Sequence, residues 1–313
     1  MAEIKKVATR EAYGEAIAKY GEMYDIVVLD ADLSKSTKTA TFKKKFPEKF
    51  INCGIAEANM ISTAAGLASC GKTVFASSFA IFAAGRAYEQ VRNSVGYPNL
   101  NVKIAATHAG ISVGEDGATH QAIEDLSLMR SIPGMVVINP ADSVETFAAV
   151  KAAIEHDGPV YLRFGRLATD VIYDENYKFE LGKASPVKDG SDVTIIACGM
   201  MVAESVRAAE ILKSEGISAR VINMHTIKPI DKDAIIKAAK ETGAIVTAEE
   251  HSIIGGLGSA VAEVVGENCP VPVIRVGVED KFGKSGVPAE LLKEYGLTPE
   301  NIAEKAKISV SKK

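Results

Sequence analysis

Two histidines and four acidic residues lie within nineteen residues near the middle of the chain. The stretch reads THAGISVGEDGATHQAIED, from Thr107 to Asp125, and it follows the apolar run LNVKIAA. Unpaired charge is costly to bury, so a segment that only packs in a core has no use for these side chains. Imidazoles exchange protons near neutral pH, and carboxylates accept hydrogen bonds. The composition of the stretch therefore indicates a binding or catalytic loop.

Two further segments of polar or aromatic character follow strand-like runs in the same way. DADLSKST (30–37) follows DIVVL, and SSFAIF (77–82) follows TVFA. In parallel α/β sheets, ligands bind beyond the carboxyl ends of the strands, which lie along one edge. We therefore expect the three segments to converge on one site.

The elements that must position these segments alternate between strand and helix patterns. Strand-like runs such as NVKIAATH alternate with helical patterns such as FAAGRAYEQVRNSVG and HQAIEDLSLMRSI. A polar, turn-rich stretch follows at 168–192, and the alternation then resumes. This pattern predicts an α/β fold with two three-layer domains built on parallel sheets. We place the domains at residues 1–178 and 186–313.

The bulk composition restricts the class of protein. The chain has 313 residues, of which 47% are hydrophobic and 24% charged, and its net charge is −4. These values are typical of a soluble globular protein and give no indication of nucleic-acid or membrane binding. The beginning of the sequence lacks a signal-peptide pattern, so we expect a cytoplasmic protein. The four cysteines show no CxxC spacing and no Cys/His cluster, so we expect reduced thiols and no metal ligands in this chain.

Three segments together resemble the pyrimidine-binding domain of the transketolase family, whose members use thiamine diphosphate. They are GIAEANM (54–60), SSFAIF (77–82) and THAGISVGEDGATHQAIEDLSLMRSIPGMVVINPAD (107–142). The likeness runs in order from about Arg10, and the second predicted domain resembles the C-terminal domain of the same family. The resemblance implies an enzyme that transfers two-carbon ketol units from a ketose phosphate to an aldose phosphate.

The resemblance assigns the pyrimidine end of the cofactor to a few side chains. Glu57 matches the catalytic glutamate that hydrogen-bonds the ring nitrogen N1′, and an apolar pocket of small residues favours the shared proton. Phe79 and Phe82 match aromatic residues that pack on the ring. The position of a third family aromatic is Gly85 here, so we expect a pocket that is more open on that side or filled by another residue. Asp32 matches an acid near the cofactor and the subunit interface.

The opening stretch matches the part of the family that binds the donor sugar. His108 and His120 match histidines that contact the sugar hydroxyls and the reacting carbonyl, and we expect them to assist proton transfer. Asp116 matches an acid that hydrogen-bonds a donor hydroxyl. We expect the glycines of the stretch to let the backbone turn tightly around the ligand.

The substrate phosphate is assigned by the same resemblance to Arg10, Ser36 and Arg166. Two guanidinium groups make a strong anchor for a phosphate, because each can donate two hydrogen bonds to it. The assignment of Arg166 depends on aligning DGPVYLRFGR without gaps, and Arg163 is the alternative.

One part of the family's site has no counterpart in this sequence. In the family, the diphosphate and its Mg²⁺ are held by a separate domain with Gly-Asp-Gly followed by an Asn, and Gly-Asp-Gly does not occur here. The sequence begins at the pyrimidine-binding domain, so it resembles the C-terminal subunit of a split transketolase. We therefore expect an N-terminal-type partner chain that supplies the Mg²⁺ ligands, in a heterotetramer with two copies of each chain.

Three other functions stay open on the sequence alone. Deoxyxylulose phosphate synthase resembles the chain in GIAE, although His108 and Glu115 favour transketolase. The β subunit of 2-oxoacid dehydrogenases has the same domain pair but lacks the two-histidine loop. A non-catalytic module of the same fold would not need the complete set of site residues. The sequence also leaves open the preferred sugars, the choice between the pentose phosphate pathway and a dedicated catabolic route, and the role of the second domain.

Overall fold

The structure, a computed structural model, describes residues 5–313 and contains three β-sheets in that range. The first four residues of the predicted first domain lie outside the described range. The strands are β1 (Lys6–Ala8), β2 (Ile26–Asp30), β3 (Phe50–Asn52), β4 (Thr73–Phe79), β5 (Val102–Thr107), β6 (Val136–Ile138), β7 (Val160–Arg163), β8 (Ala168–Asp170), β9 (Ser185–Lys188), β10 (Val193–Ala197), β11 (Ala219–Asn223), β12 (Thr226–Lys228), β13 (Ile245–Ser252) and β14 (Val273–Val278).

Helices connect most of these strands. They are α1 (Thr9–Tyr20), α2 (Ser34–Thr37), α3 (Ala40–Lys45), α4 (Glu57–Ser69), α5 (Tyr88–Gln90), α6 (Asp125–Ser131), α7 (Ser143–Glu155), α8 (Met201–Ser214), α9 (Lys232–Thr242), α10 (Leu257–Asn268), α11 (Pro288–Glu294) and α12 (Pro299–Val310). Short 3₁₀ turns lie at Pro47–Lys49 and Ile111–Asp116, and π-helical turns lie at Ile81–Arg86 and Val91–Gly96. Within the described residues, no helix is long and apolar enough to cross a membrane.

The first sheet has seven strands in the order β12-β6-β7-β5-β4-β2-β3, and all neighbours are parallel except β12 and β6. Every residue of β5 is buried, because helices cover both faces of the sheet. Helices α1, α3 and α7 pack on one face through side chains such as Tyr13 and Phe42. Helix α4 and α6 pack on the other through side chains such as Met60 and Leu126. This is the three-layer α/β arrangement that the alternating pattern predicts.

The second sheet has five strands in the order β14-β13-β10-β11-β9, parallel except for β9. Helices α8 and α12 cover one face, and α9 and α10 cover the other. Two sequence signals explain the bounds of α9. The Asp231 side chain accepts a hydrogen bond from Ala234 N at its start, and Gly243 adopts φ +65° at its end.

Short antiparallel strands at the sheet edges were not expected from the sequence. β12 belongs to the predicted second domain but extends the first sheet by pairing with β6. The hydrophobic core beneath it is also continuous, because one cluster contains Met60 of α4 and Val261 of α10. Three residues are too few for a periodic pattern, so the sequence gives no indication of this connection.

The segment predicted as one helix at FAAGRAYEQVRNSVG is three short pieces. Two π-helical turns flank α5, and Ala87 N donates to Phe82 O across five residues. Such turns insert an extra residue into a helix and are frequent at functional sites. The interruption therefore lies beside the segment that carries the candidate aromatic residues.

Candidate active site

The carboxyl ends of β4 and β5 bring four rings of the predicted site into contact. The register pairs Phe79 with Thr107, so the residue after β5 lies beside Phe79. The rings of Phe79 and His108 are stacked with centroids 3.8 Å apart. The ring centroids of Phe82 and Phe79 lie 6.0 Å apart with nearly parallel planes. The His120 ring is perpendicular to the Phe82 ring, with centroids 5.3 Å apart. The predicted convergence of these two strand ends is present in the structure.

His108 is buried beneath this cluster in a strained backbone conformation. Its φ is +55°, a region that few residues other than glycine adopt, and such strain concentrates at functional sites. Nδ1 lies 2.9 Å from Thr107 Oγ1, and Nε2 lies 3.3 Å from Arg10 Nη1. Burial lowers the pKa of His108 to about 3, and the positive charges of Arg10 and Arg166 act in the same direction. The imidazole is therefore neutral at physiological pH, with Nε2 as the acceptor that faces Arg10.

His120 lies in a turn, whereas the sequence predicted the start of a helix there. Its backbone N–H donates to Gly117 O, and α6 begins five residues later at Asp125. The intervening Ala122 forms a single bridge with Ala109, which draws this segment towards the end of β5. His120 is half-buried, with Nδ1 2.9 Å from Thr119 Oγ1. The backbone bonds of this turn take the place of the predicted first helical turn.

Glu57 is the first residue of α4, and its carboxylate is buried. Arg86 Nη1 donates to Glu57 Oε2 at 2.9 Å, and the same guanidinium lies 4.5 Å from the centre of the Phe82 ring. Gly85 is exposed, and a Cβ built there would meet only Ile81 Cδ1, at 3.7 Å. The space near the third family aromatic is thus open, and Arg86 supplies the cation beside Phe82.

Three cations lie close to His108. Arg10 Nη1 donates to the Ser36 backbone carbonyl at 2.9 Å, and its Nε is buried without a hydrogen-bond partner. Burial lowers the pKa of Arg10, the nearby carboxylate of Glu11 acts against this, and Arg166 lowers the pKa further. Lys38 also lowers the pKa of the His108 imidazole, and its Nζ lies 3.2 Å from Glu11 Oε1. Cations held this close together favour an anion between them.

The structure distinguishes the two arginines that the sequence left open. Arg163 is buried, and its Nε donates to Asp125 Oδ2 at 2.8 Å. Arg166 is part-exposed, contacts Val113 O and lies 3.1 Å from Glu115 Oε2. Arg163 is fully engaged in a buried ion pair, whereas the side chain of Arg166 is partly accessible to solvent. Ser36 holds Arg10 through its backbone, which adds a positioning contact to the predicted phosphate contact.

The two aspartates of the predicted site are exposed. Asp32 has φ +64°, and its Oδ1 accepts a hydrogen bond from Asn52 Nδ2 at 2.9 Å. The neighbouring Asp30 is buried and accepts hydrogen bonds from Thr37 and Thr39, which anchor this loop to the end of β2. Asp116 ends the 3₁₀ turn that precedes His120. Asp116 is therefore an exposed residue just before the turn of His120, and Asp32 lies just after the end of strand β2.

The glycines of the central stretch contact the second half of the chain, which differs from the expectation that they wrap a ligand. A Cβ on Gly110 would lie 2.3 Å from the Glu250 carboxyl, and one on Gly114 would lie 2.9 Å from Pro288 Cγ. Both residues also have φ +85°. Glu250 Oε1 accepts a hydrogen bond from Ser112 N at 2.6 Å. These positions require glycine because the loop packs directly on strand β13 and helix α11.

A buried ion-pair network links the loop, the first sheet and the second half. Asp125 accepts hydrogen bonds from Arg163 and from Tyr161 OH, and Arg163 Nη2 donates to the Glu250 carbonyl. Burial alone would raise the pKa of Asp125, but the charge and hydrogen bonds of Arg163 hold it below its usual value. Burial raises the pKa of Glu250, against the opposing charge of Arg163. The second domain thus packs against the loop that carries His108 and His120.

The described residues fit the pyrimidine end of the implied cofactor. A buried carboxylate can hydrogen-bond a nitrogen of a flat heterocycle, and two phenyl rings can pack against its plane. The pocket is open on the side of Gly85. Within residues 5–313, no group of three or more His, Cys, Asp or Glu is placed to hold a metal ion. The fit to the cofactor is therefore confined to its pyrimidine ring.

Several residues of the site were not found from the sequence. Arg86 pairs with Glu57 across 29 positions, and Glu250 reaches Ser112 across 138. Contacts at such separations leave no local pattern. The one available signal for Arg86 was a basic residue one turn after Phe82.

Comparison with known proteins identifies the two halves of the chain. Residues 5–170 match the family described as "Transketolase, pyrimidine binding domain", and residues 182–302 match "Transketolase, C-terminal domain". A protein of Methanocaldococcus jannaschii named putative transketolase C-terminal section is 56% identical, over 95% of this chain and 94% of that protein. A 6-deoxy-6-sulfo-D-fructose transketolase subunit of a Clostridium species is 49% identical, over 95% of this chain and 92% of its own length.

A solved structure agrees with these matches. The structure titled "Split gene transketolase, inactive beta4 tetramer" superimposes with a TM-score of 0.91 and 53% identity. The match covers 99% of this chain and 100% of that one. Both the sequence and the fold therefore agree over nearly the whole length.

Proposed function

The chain belongs to the transketolase family, and on this premise we propose that it is the C-terminal-type subunit of a two-chain transketolase. In this proposal it transfers a two-carbon ketol unit from a ketose phosphate to an aldose phosphate, together with an N-terminal-type partner chain. The names of the similar proteins, a C-terminal section and a split-gene transketolase, support the two-chain organisation.

One observation carries the proposal: the site residues form an unbroken series of contacts. Arg86 joins Glu57 to Phe82, Phe82 meets His120, and Phe79 stacks on His108. His108 then contacts Arg10. The series runs from the Glu57 carboxylate through Arg86 to the aromatic rings, the imidazoles and the Arg10 guanidinium. In that order, the carboxylate and rings suit a heterocycle, the imidazoles a polyol, and Arg10 a phosphate.

Each residue has a role that follows from its position. When bound, thiamine diphosphate supplies the carbanion that accepts and passes on the ketol unit. Glu57 holds a proton against the pyrimidine nitrogen, and Phe79 and Phe82 fix the plane of the ring. The Mg²⁺ and diphosphate ligands come from the partner chain in this proposal.

The substrate contacts belong to the opposite end of the series. His108 enters the reaction neutral, so it can donate one hydrogen bond and accept another from a sugar hydroxyl or carbonyl. His120 is half-buried, and in this proposal it transfers protons to and from the same sugar hydroxyl or carbonyl. Asp116 accepts from a donor hydroxyl, while Arg10 and Arg166, with Ser36, hold the phosphate.

The assembly and the substrates are also part of the proposal. We propose two copies of each chain, with the active site between chains, and Asp32 near that interface. Xylulose 5-phosphate and ribose 5-phosphate are the first donor and acceptor to test, as substrates of the pentose phosphate pathway. The Clostridium relative is named for a sulfo-sugar, so a dedicated catabolic route is the alternative to examine.

Reconstitution tests this proposal. The chain is mixed with the N-terminal-type subunit of its source, thiamine diphosphate and Mg²⁺, and assayed with xylulose 5-phosphate and ribose 5-phosphate. We expect sedoheptulose 7-phosphate from the mixture and none from either chain alone. No turnover with these or other ketose phosphates, despite cofactor binding, would contradict ketol transfer. No cofactor binding by the mixture would favour a non-catalytic module.

A further inference from the structure

Arg86 is the cation that satisfies Glu57. The Glu57 carboxylate is 2% exposed, and Arg86 Nη1 contacts its Oε2 at 2.9 Å. Of the cations in the described part of the chain, Arg86 is the one within 4 Å of this carboxylate. A buried carboxylate without a cation favours its neutral, protonated form. Arg86 is therefore the charge partner of this buried carboxylate.

The other charged groups on the elements packed against α4 are engaged elsewhere. Helix α4 itself carries no second charged residue. The groups on the packed elements are Asp30, bonded to Thr37 and Thr39; Lys103, bonded to the His156 and Gly158 carbonyls; Glu89, bonded to Gln90 and Asn93; and Arg92, bonded to Asn93. Within the described residues, Arg86 is thus the one charged side chain that contacts the Glu57 carboxylate directly.

The geometry also leaves half of the carboxylate available. Arg86 binds Oε2, and its guanidinium is held a second time by the Phe82 ring at 4.5 Å. Two contacts fix the guanidinium, so Oε2 is held in one direction while Oε1 can meet another group. Arg86 stands at the end of a π-helical turn, a feature that is frequent at functional sites.

We propose that Arg86 is a positioning residue for Glu57, which holds the carboxylate ionised before cofactor binding and makes that binding take up a proton. This inference rests on the proposed function, because it assigns Glu57 to the pyrimidine nitrogen. A carboxylate oxygen and a ring nitrogen are both acceptors, so a hydrogen bond between them needs one proton. That proton comes from the solvent when Glu57 begins as a carboxylate.

Proton uptake on cofactor binding tests the inference in the assembled two-chain enzyme. Titration calorimetry with thiamine diphosphate and Mg²⁺ is run near neutral pH in buffers of different ionisation enthalpy. Glu57→Gln defines the background from the diphosphate and the metal. We expect wild type to take up about one proton per site more than Glu57→Gln, and Arg86→Gln to show little excess because its Glu57 already carries the proton. Arg86→Lys keeps the charge and should restore most of the uptake.

Arg92→Gln is the matched control, since Arg92 is exposed on the second π-helical turn and bonds Asn93. It should behave as wild type. Equal proton uptake by wild type and Arg86→Gln would overturn the inference.

A cofactor-free measurement separates this inference from the proposed function. In the isolated chain, Arg86→Gln should make the free energy of unfolding fall as pH rises above the range of free carboxyls, because the folded state then holds a proton that the unfolded state releases. Adding Glu57→Gln should abolish that added dependence. If wild type binds no thiamine diphosphate, the proposed function fails, while this pH dependence still decides whether Arg86 controls Glu57. An unchanged pH dependence in Arg86→Gln would contradict the inference.

Discussion

The neutral state of His108 follows from its surroundings at the level of single residues. Its ring is buried under Phe79, and Arg10 faces Nε2 at 3.3 Å. In the proposed reaction, this imidazole therefore enters in its neutral form. A protonated His108 would face the guanidinium of Arg10 with a second positive charge.

The pH dependence of stability should report this histidine. Burial lowers the pKa of His108 to about 3 from 6.5, so between these values the unfolded chain binds a proton that the native chain does not. Stability from this group is complete above about 6.5 and is lost as pH falls towards 3. Asn tolerates positive φ, so we expect His108→Asn to fold and to remove up to about 1.4 kcal/mol per pH unit from this dependence. Urea unfolding of the isolated chain at several pH values measures it, and an unchanged slope would contradict the neutral assignment.

Arg166 allows a second residue-level prediction, in the reconstituted enzyme. We expect Arg166→Gln to lower kcat/KM for a phosphorylated donor about tenfold to a hundredfold, because a charge-assisted hydrogen bond is lost. The same variant should leave kcat/KM for the unphosphorylated sugar unchanged, which provides an internal control. Steady-state assays with both donors measure the ratio. Equal losses for both donors would show that Arg166 does not bind the phosphate.

At the level of elements, the loop of His108 and His120 owes its shape to the second domain. Ser112 N donates to Glu250, Ser252 N donates to Ile123 O, and Gln121 Nε2 donates to Lys284 O. The sequence left the role of this domain open. The structure shows that this domain holds the loop in place through hydrogen bonds and packing.

Gly110 tests this support. Gly110→Ala places a methyl group 2.3 Å from the Glu250 carboxyl at φ +85°, so we expect destabilisation of about 1–3 kcal/mol and reduced activity. Gly66→Ala in α4 is the control, because a Cβ there meets nothing within 4 Å. That change should raise stability by up to about 1 kcal/mol. Chemical unfolding of both variants measures the difference, and equal effects would argue against a tight loop–domain contact.

The elements also show what the sequence could predict. The long parallel strands β2, β4, β5, β10 and β13 and the helices between them follow from apolar runs that alternate with amphipathic segments. The convergence of Phe79 and His108 follows from strand-end placement, whereas His120 is positioned by a turn and by the Ala109–Ala122 bridge. The π-helical turns, the Arg86–Glu57 pair and the three-residue strand β12 depend on contacts far apart in sequence, which local patterns do not encode.

At the level of the whole molecule, the two halves pack together as one structural unit. The core cluster is continuous between them, β12 crosses to the first sheet, and Arg163 donates to both Asp125 and the Glu250 carbonyl. The predicted domain bounds at 178 and 186 and the cytoplasmic location stay predictions. The contacts indicate that the halves do not move independently.

Unfolding should therefore be cooperative across both halves. We expect one calorimetric transition for the isolated chain, and Asp125→Asn should lower its stability by about 3–5 kcal/mol because Arg163 is left buried without its partner. Lys151→Gln, which removes an exposed i,i+4 ion pair with Glu155, is the control and should cost about 0.5 kcal/mol or less. Two separate transitions in wild type would contradict the single-unit account.

The central claim is that this chain provides the glutamate of a ketol-transferring site, and Glu57→Gln in the reconstituted enzyme tests it most directly. The amide keeps the size of the side chain but cannot share the proton with the pyrimidine nitrogen. We expect kcat to fall by at least about a hundredfold, with the chains still assembled, whereas Glu89→Gln, a change at an exposed residue of α5, should keep full activity. Ketol transfer at the wild-type rate by Glu57→Gln would contradict the account.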